Sequence, residues 1–261
     1  MAVFTDQTNR QIEISSKPLR IISTVPSQTE LLYDLGLEEQ VVGITAYCVH
    51  PKHWLSEKQV TGGTKDLKID LIKSLKPDLI ISNKEENIKE QIEELAKDFP
   101  VWLSDIVTLD DALNMISVVG KVTHTSEKAQ QIVQQITAER NKLSKPSSPI
   151  KAAYFIWNDP MMVAGEDTFI NAIMKEAGLG NAFADREERY PKITEQELLT
   201  ANPDLIILSS EPYRFTTKHL HEFATLCPKA KIKIMDGEMF SWYGSRMVKT
   251  FPYLKKMLAV R

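Results

Sequence analysis

Short aliphatic runs alternate along the chain with longer amphipathic stretches, the pattern expected where parallel strands are joined by crossover helices. Arg20-Ile-Ile-Ser-Thr-Val reads as a first strand, and Pro26 to Glu30 turn into a helix that carries Leu31, Leu32 and Leu35 and stops at Gly36. Ser27 or Thr29 is the expected cap of that helix, leaving free N–H groups at its start. Val41–Ile44 follows as a second strand; Ile69–Leu75 reads as a helix stopped by Pro77, and Leu79-Ile80-Ile81 as a buried strand. A third unit pairs a helix over Asn87–Lys97 with an extended Val101-Trp102-Leu103.

The second half opens in the same way. Ala152–Trp157 is a strand, and Thr168–Ala177 a helix ended by Gly178. Leu71 to Ile81, with its Pro77-Asp78 before an aliphatic run, is answered by Leu198 to Ile207, with Pro203-Asp204 in the same place. A Pro-Asp before a strand is easily met by chance; its return after a helix in both halves argues for two lobes on one plan. Between them, Leu113, Ile116, Val119, Ile132, Val133 and Ile136 keep helical spacing, with a break expected over residues 120–125 and Ser126 as the cap of the second piece. Ser144-Lys-Pro-Ser-Ser-Pro149 has the composition of a linker. The expected architecture is α/β: two doubly wound lobes with parallel sheets joined by a single long backbone helix, with an N-terminal lobe over 1–125, the helix and linker over 126–149, and a C-terminal lobe over 150–261.

Composition narrows the function. The 261 residues are 43% hydrophobic and 26% charged, which excludes disorder as the main state. Lys plus Arg number 32 against 35 Asp plus Glu, a net charge of −3 that offers no basic surplus to nucleic acid. Cys48 and Cys227 are too few for a disulfide framework and too far apart for a Cys-x-x-Cys site. Residues 1–20 lack the apolar run of an export signal, so the expectation is either a cytoplasmic protein or a mature form without its leader. No Gly-x-Ser-x-Gly, His-Glu-x-x-His, Gly-x-Gly-x-x-Gly or Walker A spacing occurs, so hydrolase, zincin, dinucleotide-enzyme and nucleotide-phosphate readings have no motif support.

In open parallel sheets, ligands collect at the carboxyl ends of the strands, and in a two-lobed protein those ends can face a common cleft. After the second strand comes Thr45 to Trp54, which gathers Tyr47, Cys48, His50, His53 and Trp54 in ten residues. That group either binds a metal, lines a pocket, or is an ordinary loop; its Cys-x-His-x-x-His spacing matches no standard zinc site. His50 can alternatively supply an axial nitrogen to a metal already held by a macrocycle. In the second half Trp157 to Met162 and Ser209 to Tyr213 suit a large, flat, amphipathic ligand. The tail loop Asp236–Arg246 sets Phe240, Trp242 and Tyr243 beside Glu238 and Arg246, for ligand contact or for packing.

Taken in order, Arg20-Ile-Ile-Ser to Pro26-Ser-Gln-Thr-Glu30, Leu35-Gly-Leu37, Val42-Gly-Ile44 and Leu75-Lys-Pro-Asp-Leu-Ile-Ile81 resemble the helical-backbone substrate-binding proteins of ABC importers, most nearly the vitamin B12-binding type. The resemblance runs from about Arg20 to Leu258. It implies a non-catalytic protein, expected as a monomer, that presents cobalamin or another corrinoid, or alternatively haem or a ferric siderophore, from an interlobe cleft to a membrane permease. It places Tyr47, Trp242 and Tyr243 against the corrin and His50 on the same lip; Trp54, Trp157, Met162, Phe240 and Arg246 complete the expected ligand-binding set. Family members dock through an acidic residue seven positions before the helix-ending Pro. That count gives Asp70 and, in the second lobe, Gln196, flanked by Glu195 and Glu197 as the carboxylates available if the contact has shifted by one residue. The resemblance also implies a periplasmic or cell-envelope location. A cytoplasmic protein handling a metal cofactor, suggested by Cys48, His50 and His53, is the alternative from another class.

Overall fold

Aliphatic runs bounded by Pro or Gly become strands buried on both faces, as a parallel sheet covered by helices requires. The computed structural model of the protein describes residues 2–14 and 17–259, so the outer limits of the expected lobes at residues 1 and 261 lie outside the described residues. The chain forms two compact units. The first runs to Ile106 and includes Asp110–Thr137 and Tyr243–Arg246; the second holds Val107–Leu109, Ala138–Trp242 and the chain from Met247 on.

The first unit begins with an antiparallel hairpin of β1 (Ala2–Thr5) and β2 (Gln11–Ile14). Its turn is organised by Asp6, whose carboxylate accepts from the Thr8 and Arg10 backbone N–H groups and from the Arg10 side chain. Then follow β3 (Ile21–Ser23), α1 (Pro26–Asp34), β4 (Val41–Ile44), α2 (Trp54–Glu57), β5 (Gln59–Val60), α3 (Ile69–Ser74), β6 (Leu79–Asn83), α4 (Lys89–Ala96), β7 (Val101–Ser104) and α5 (Leu109–Val122). The strands pair in parallel in the order β5-β4-β3-β6-β7. Ile22, Ile72, Ile80, Ile92, Leu95 and Val101 form a core between strands and helices. The start of α1 corrects the expected cap: Val25 is the N-cap and makes no side-chain cap bond, Pro26 takes the first turn, and Ser27 and Thr29 lie inside the helix. Proline needs no N–H partner there and arrives with its φ already helical, which moves the start ahead of both hydroxyls. Thr29 Oγ1 instead donates back to the Val25 carbonyl at 2.9 Å.

Helix α6 (Ser126–Asn141) carries the chain out of the first unit, which it leaves after Thr137. Ser126 is its first residue, and the carbonyl of Thr125 already accepts the first helical bond from Ala129, so the cap position falls on Thr125 and not on Ser126. The second unit contains β8 (Ile150–Trp157), β9 (Met162–Val163), α7 (Phe169–Glu176), β10 (Leu179–Asn181), α8 (Glu195–Ala201), β11 (Leu205–Ser209), α9 (Thr217–Leu226), β12 (Lys231–Met235), α10 (Glu238–Ser241) and α11 (Met247–Ala259). Strands β10-β8-β11-β12 pair in parallel, and the short β9 lies antiparallel to β8. Ala153, Phe155, Leu198, Ile206, Leu208 and Phe223 sit in its core.

The repeated Pro-Asp has the same physical job in both units. Lys76 (φ 47) and Asn202 (φ 44) end α3 and α8 in the left-handed region, and the proline that follows stops the helix. The aspartate then ties down the chain entering the neighbouring strand. Asp78 accepts from the Leu19 and Arg20 N–H groups and donates its own N–H to the Arg20 carbonyl, while Asp204 accepts from the Lys151 N–H and donates to the Lys151 carbonyl.

Tyr243–Arg246 belongs to the first unit although the chain on either side of it belongs to the second. Gly244 has φ 104, and a Cβ there would stand 3.2 Å from the Ser27 carbonyl, so only glycine follows this path without strain. Arg246 Nε then donates to Glu30 Oε2 at 2.8 Å, and each side chain is only 7% exposed. Removing one partner from such a pair leaves a charge in the interior. Arg246→Ala should therefore lower unfolding free energy by about 3–5 kcal/mol, whereas the double change Glu30→Gln with Arg246→Met should cost less than the single one. Urea unfolding midpoints of the three proteins measure this; equal midpoints for Arg246→Ala and the parent protein would show that the pair contributes nothing.

Candidate functional site

In the first unit, the carboxyl ends of β3, β6 and β7 carry a buried polar network. Thr24 Oγ1 reaches Asn87 Oδ1 at 2.8 Å and Ser82 Oγ at 3.0 Å, Asn83 Nδ2 donates to Ser104 Oγ at 3.0 Å, and Gln28 Nε2 donates to the same hydroxyl. Asn87 Nδ2 donates to the Thr64 carbonyl at 2.9 Å and so joins the loop after β5 to the network. Hydroxyls and amides suit these positions because they hydrogen-bond one another out of water and fix the loops above them, with Gln28 Oε1 left buried without a partner among the described residues. Tyr243, expected against the ligand, is instead buried beside them, 6% exposed. Burial, then the nearby Glu86 carboxylate, pushes its hydroxyl well above the usual tyrosine range, and the neighbouring hydroxyls of Ser27 and Ser104 oppose this. Glu86 is itself pushed up by burial.

The loop after β4 separates what the sequence groups together. Tyr47 stands 63% exposed, with its ring against Gly63, where a Cβ would lie 3.2 Å from it. Cys48 is wholly buried, with Sγ 3.0 Å from Thr29 Oγ1, and burial raises its thiol. It stays a protonated interior group, so a metal site of Cys48, His50 and His53 is not formed. His50 is half-buried. His53 turns to Glu38, with Nε2 3.1 Å from Oε1. Trp54 is not a ligand contact: it is fully buried, edge-on to Tyr33 with ring centroids 5.5 Å apart, and its Nε1 donates to Glu38 Oε1 at 3.4 Å.

The second unit presents aromatic surface at the equivalent strand ends. Trp157, 39% exposed at the end of β8, meets Tyr213 in the loop after β11 edge-on at 5.3 Å and donates Nε1 to the Asp159 carbonyl at 2.9 Å. Tyr213 is braced in turn by His219, whose Nε2 lies 3.0 Å from its hydroxyl. The Thr216 N–H donates to His219 Nδ1 at 2.9 Å, which makes Nε2 the protonated nitrogen of the neutral ring and the donor to Tyr213. Sequence reasoning passed over His219, because its role depends on a loop that closes only in three dimensions. Met162 is half-buried on β9, opposite Trp157.

The tail loop corrects three further expectations. Phe240 is fully buried against Tyr154, with centroids 4.9 Å apart, and offers no face to a ligand. Trp242 is 8% exposed and donates Nε1 to Glu211 Oε1 at 3.0 Å, beside a second bond from Ser241. Arg246 is taken by Glu30. Of the docking residues, Asp70 and Gln196 are exposed and hold the same second position in α3 and α8. Glu197 is committed elsewhere: its carboxylate accepts from the Thr194 N–H and hydroxyl in a capping box and pairs with Arg186 at 2.6 Å. These bonds, the Thr194 N–H first, hold it below the usual carboxylate range.

Parallel sheets wound twice over, with one helix passing from unit to unit, define a two-lobed binding-protein fold. Residues 21–230 match the periplasmic binding protein family, and the chain belongs to it. It is similar to the uncharacterized ABC transporter substrate-binding lipoprotein YvrC of Bacillus subtilis, 27% identical over 77% of this chain and 67% of that one. The vitamin B12-binding protein of Pectobacterium atrosepticum is 26% identical over 73% of this chain and 71% of its own length. The crystal structure of the periplasmic vitamin B12 binding protein BtuF of Vibrio cholerae shares the fold with a TM-score of 0.80, at 21% identity over 94% of this chain and 98% of that one. The function is that of a substrate-binding protein of the ABC-importer type. Among the described residues no helix is long and apolar enough to cross a membrane.

Glu211 provides a pH test of the second unit. Burial holds its carboxyl above the ordinary value of 4.5, opposed by the bonds from Ser241 and Trp242. With the folded value above the unfolded one, the folded state binds the proton more tightly, so stability falls as pH rises from the ordinary value toward the raised one. Glu211→Gln should remove that decline; urea midpoints at a series of pH values would show it, and parallel curves for the two proteins would contradict it.

Proposed function

We propose that the ligand is a corrinoid, with Tyr47 as the candidate aromatic contact at the strand ends of the first unit and Trp157 with Tyr213 as the candidate contact at the strand ends of the second. The observation that carries this is their exposure. Tyr47 and Trp157 remain 63% and 39% accessible while Trp54, Phe240 and Trp242 are taken into the interior. A large aromatic held in water at a strand end is placed to stack on a flat ligand. The similarity to a vitamin B12-binding relative supports a corrin over other macrocycles. His50, on the same loop as Tyr47, is the proposed axial nitrogen donor to the ligand's metal. Met162 lies beside Trp157, and Tyr243 supports the first-unit loops from beneath. The reading is of a binding protein without catalysis, acting as a monomer and delivering its ligand to a permease.

Asp70 is the proposed docking carboxylate of the first unit, exposed in the first turn of α3. In the second unit Gln196 occupies the matching position, with the exposed Glu195 one residue before it in place of the committed Glu197.

Titration of the purified protein with cobalamin, cobinamide and haem, followed by visible absorbance, tests the ligand. Saturable binding of a corrinoid is expected; binding of haem alone assigns the site to porphyrin, and no response to any of them removes the proposal. Tyr47→Ala and Trp157→Ala should each weaken corrinoid binding by roughly three- to tenfold, the worth of one aromatic contact. His50→Ala should shift the spectrum of bound cobinamide, and an unchanged spectrum rejects ligation. Asp70→Lys should abolish ligand-dependent stimulation of the partner transporter while leaving binding unchanged, and full stimulation would clear Asp70 of docking.

A further inference from the structure

We infer that Glu38, His53 and Glu57 form a surface site for a divalent transition-metal ion on the first unit, separate from the strand ends proposed for the ligand. The three side chains can bring one carboxylate oxygen, one imidazole nitrogen and a second carboxylate oxygen to within 4.8 Å of one another. His53 and Glu57 stand one helical turn apart at α2, and Glu38 comes from the loop after α1, so the set closes across two elements. The separations fit coordination: ligand atoms about 2.1 Å from a tetrahedral zinc stand about 3.4 Å apart. His53 Nε2 and Glu38 Oε1 are 3.1 Å apart, so a metal can enter with only a small spreading of this pair.

The ligands are also oriented from behind. The fully buried Trp54 aims its Nε1 at Glu38 Oε1, and Tyr33 holds the His53 ring edge-on, with centroids 5.8 Å apart. Outer contacts of this kind fix a ligand's rotamer before the ion arrives. Lys58 is engaged by the Glu38 carbonyl and lies over the Trp54 ring. The side chains of His53 and Glu38 are 44% and 51% exposed, so an ion can reach them and keep water at its remaining positions. One imidazole with two carboxylates suits zinc and its first-row neighbours better than calcium or magnesium, which favour all-oxygen sites.

The test is titration of the chelator-treated, full-length protein with Co²⁺, read by visible absorption, followed by displacement with Zn²⁺. One equivalent of Co²⁺ should bind, with absorption bands that Zn²⁺ abolishes. Loss of an outer contact to a metal ligand costs 10- to 100-fold in affinity, so His53→Ala and Glu57→Gln should each weaken binding by roughly tenfold or more. Glu57→Gln is nearly isosteric and covers the case in which His53→Ala fails to fold. His221→Ala should bind as the parent protein does. No saturable binding, or unchanged binding by both variants, overturns the site. Corrinoid binding should be the same with and without Zn²⁺, so the two proposals fail independently.

Discussion

An arginine and a glutamate, both almost removed from water, hold residues 243–246 to the first unit. Each charge would be costly in the interior by itself, and each is tolerable because the other is there. The pair joins positions 216 residues apart in sequence. Around it the first unit brings Gly244 against the backbone of α1 and Tyr243 against the hydroxyls of Ser27 and Ser104. Placing the tail loop fixes Tyr243, and Tyr243 closes over the polar network beneath the strand ends. The geometry of the first unit's loops therefore rests on one interaction at their base.

The two units solve the same problem with different chemistry. In the first, the strand ends finish in hydroxyls and amides that hydrogen-bond one another, leaving Tyr47 as the exposed aromatic. In the second, they finish in rings: Trp157 leans on Tyr213, and Tyr213 is held by His219, which takes its tautomer from a backbone N–H. A polar network sets positions by direction and a ring cluster sets them by shape.

Much of the fold was legible in the sequence because its signals are local. Val41–Ile44 is aliphatic and bounded, Gly36 and Gly178 end helices with φ 76 and 72, and the paired Pro-Asp marks the same corner in each unit. The hairpin of β1 and β2 was not legible, being short and held by Asp6 to β7 across more than ninety residues. The site was harder. Trp54 and Phe240 have the residue type of ligand contacts, and only the arrival of Tyr33 and Tyr154 from elsewhere in the chain makes them interior packing. Cys48, His50 and His53 are neighbours in sequence, yet backbone direction sends one inward and another to Glu38. A loop's composition shows which groups are available, and the elements packed beneath it decide which way each one faces.

The aspartate clasps bear on how the chain finds its fold. Parallel pairing of β3 with β6 closes a long stretch of chain, since Asp78 meets Arg20 across 58 residues, and the entropy of that closure must be met before most of the ladder has formed. Asp78 gives the closure a specific landing point one step before Ile21 faces Leu79, and Asp204 does the same at Lys151 before Ala152 faces Leu205. A slip of one residue would turn every side chain of the strand to the opposite face. Each clasp thus works as an indexing pin, aligning two distant strands at their first shared rung so that the remaining rungs close in order.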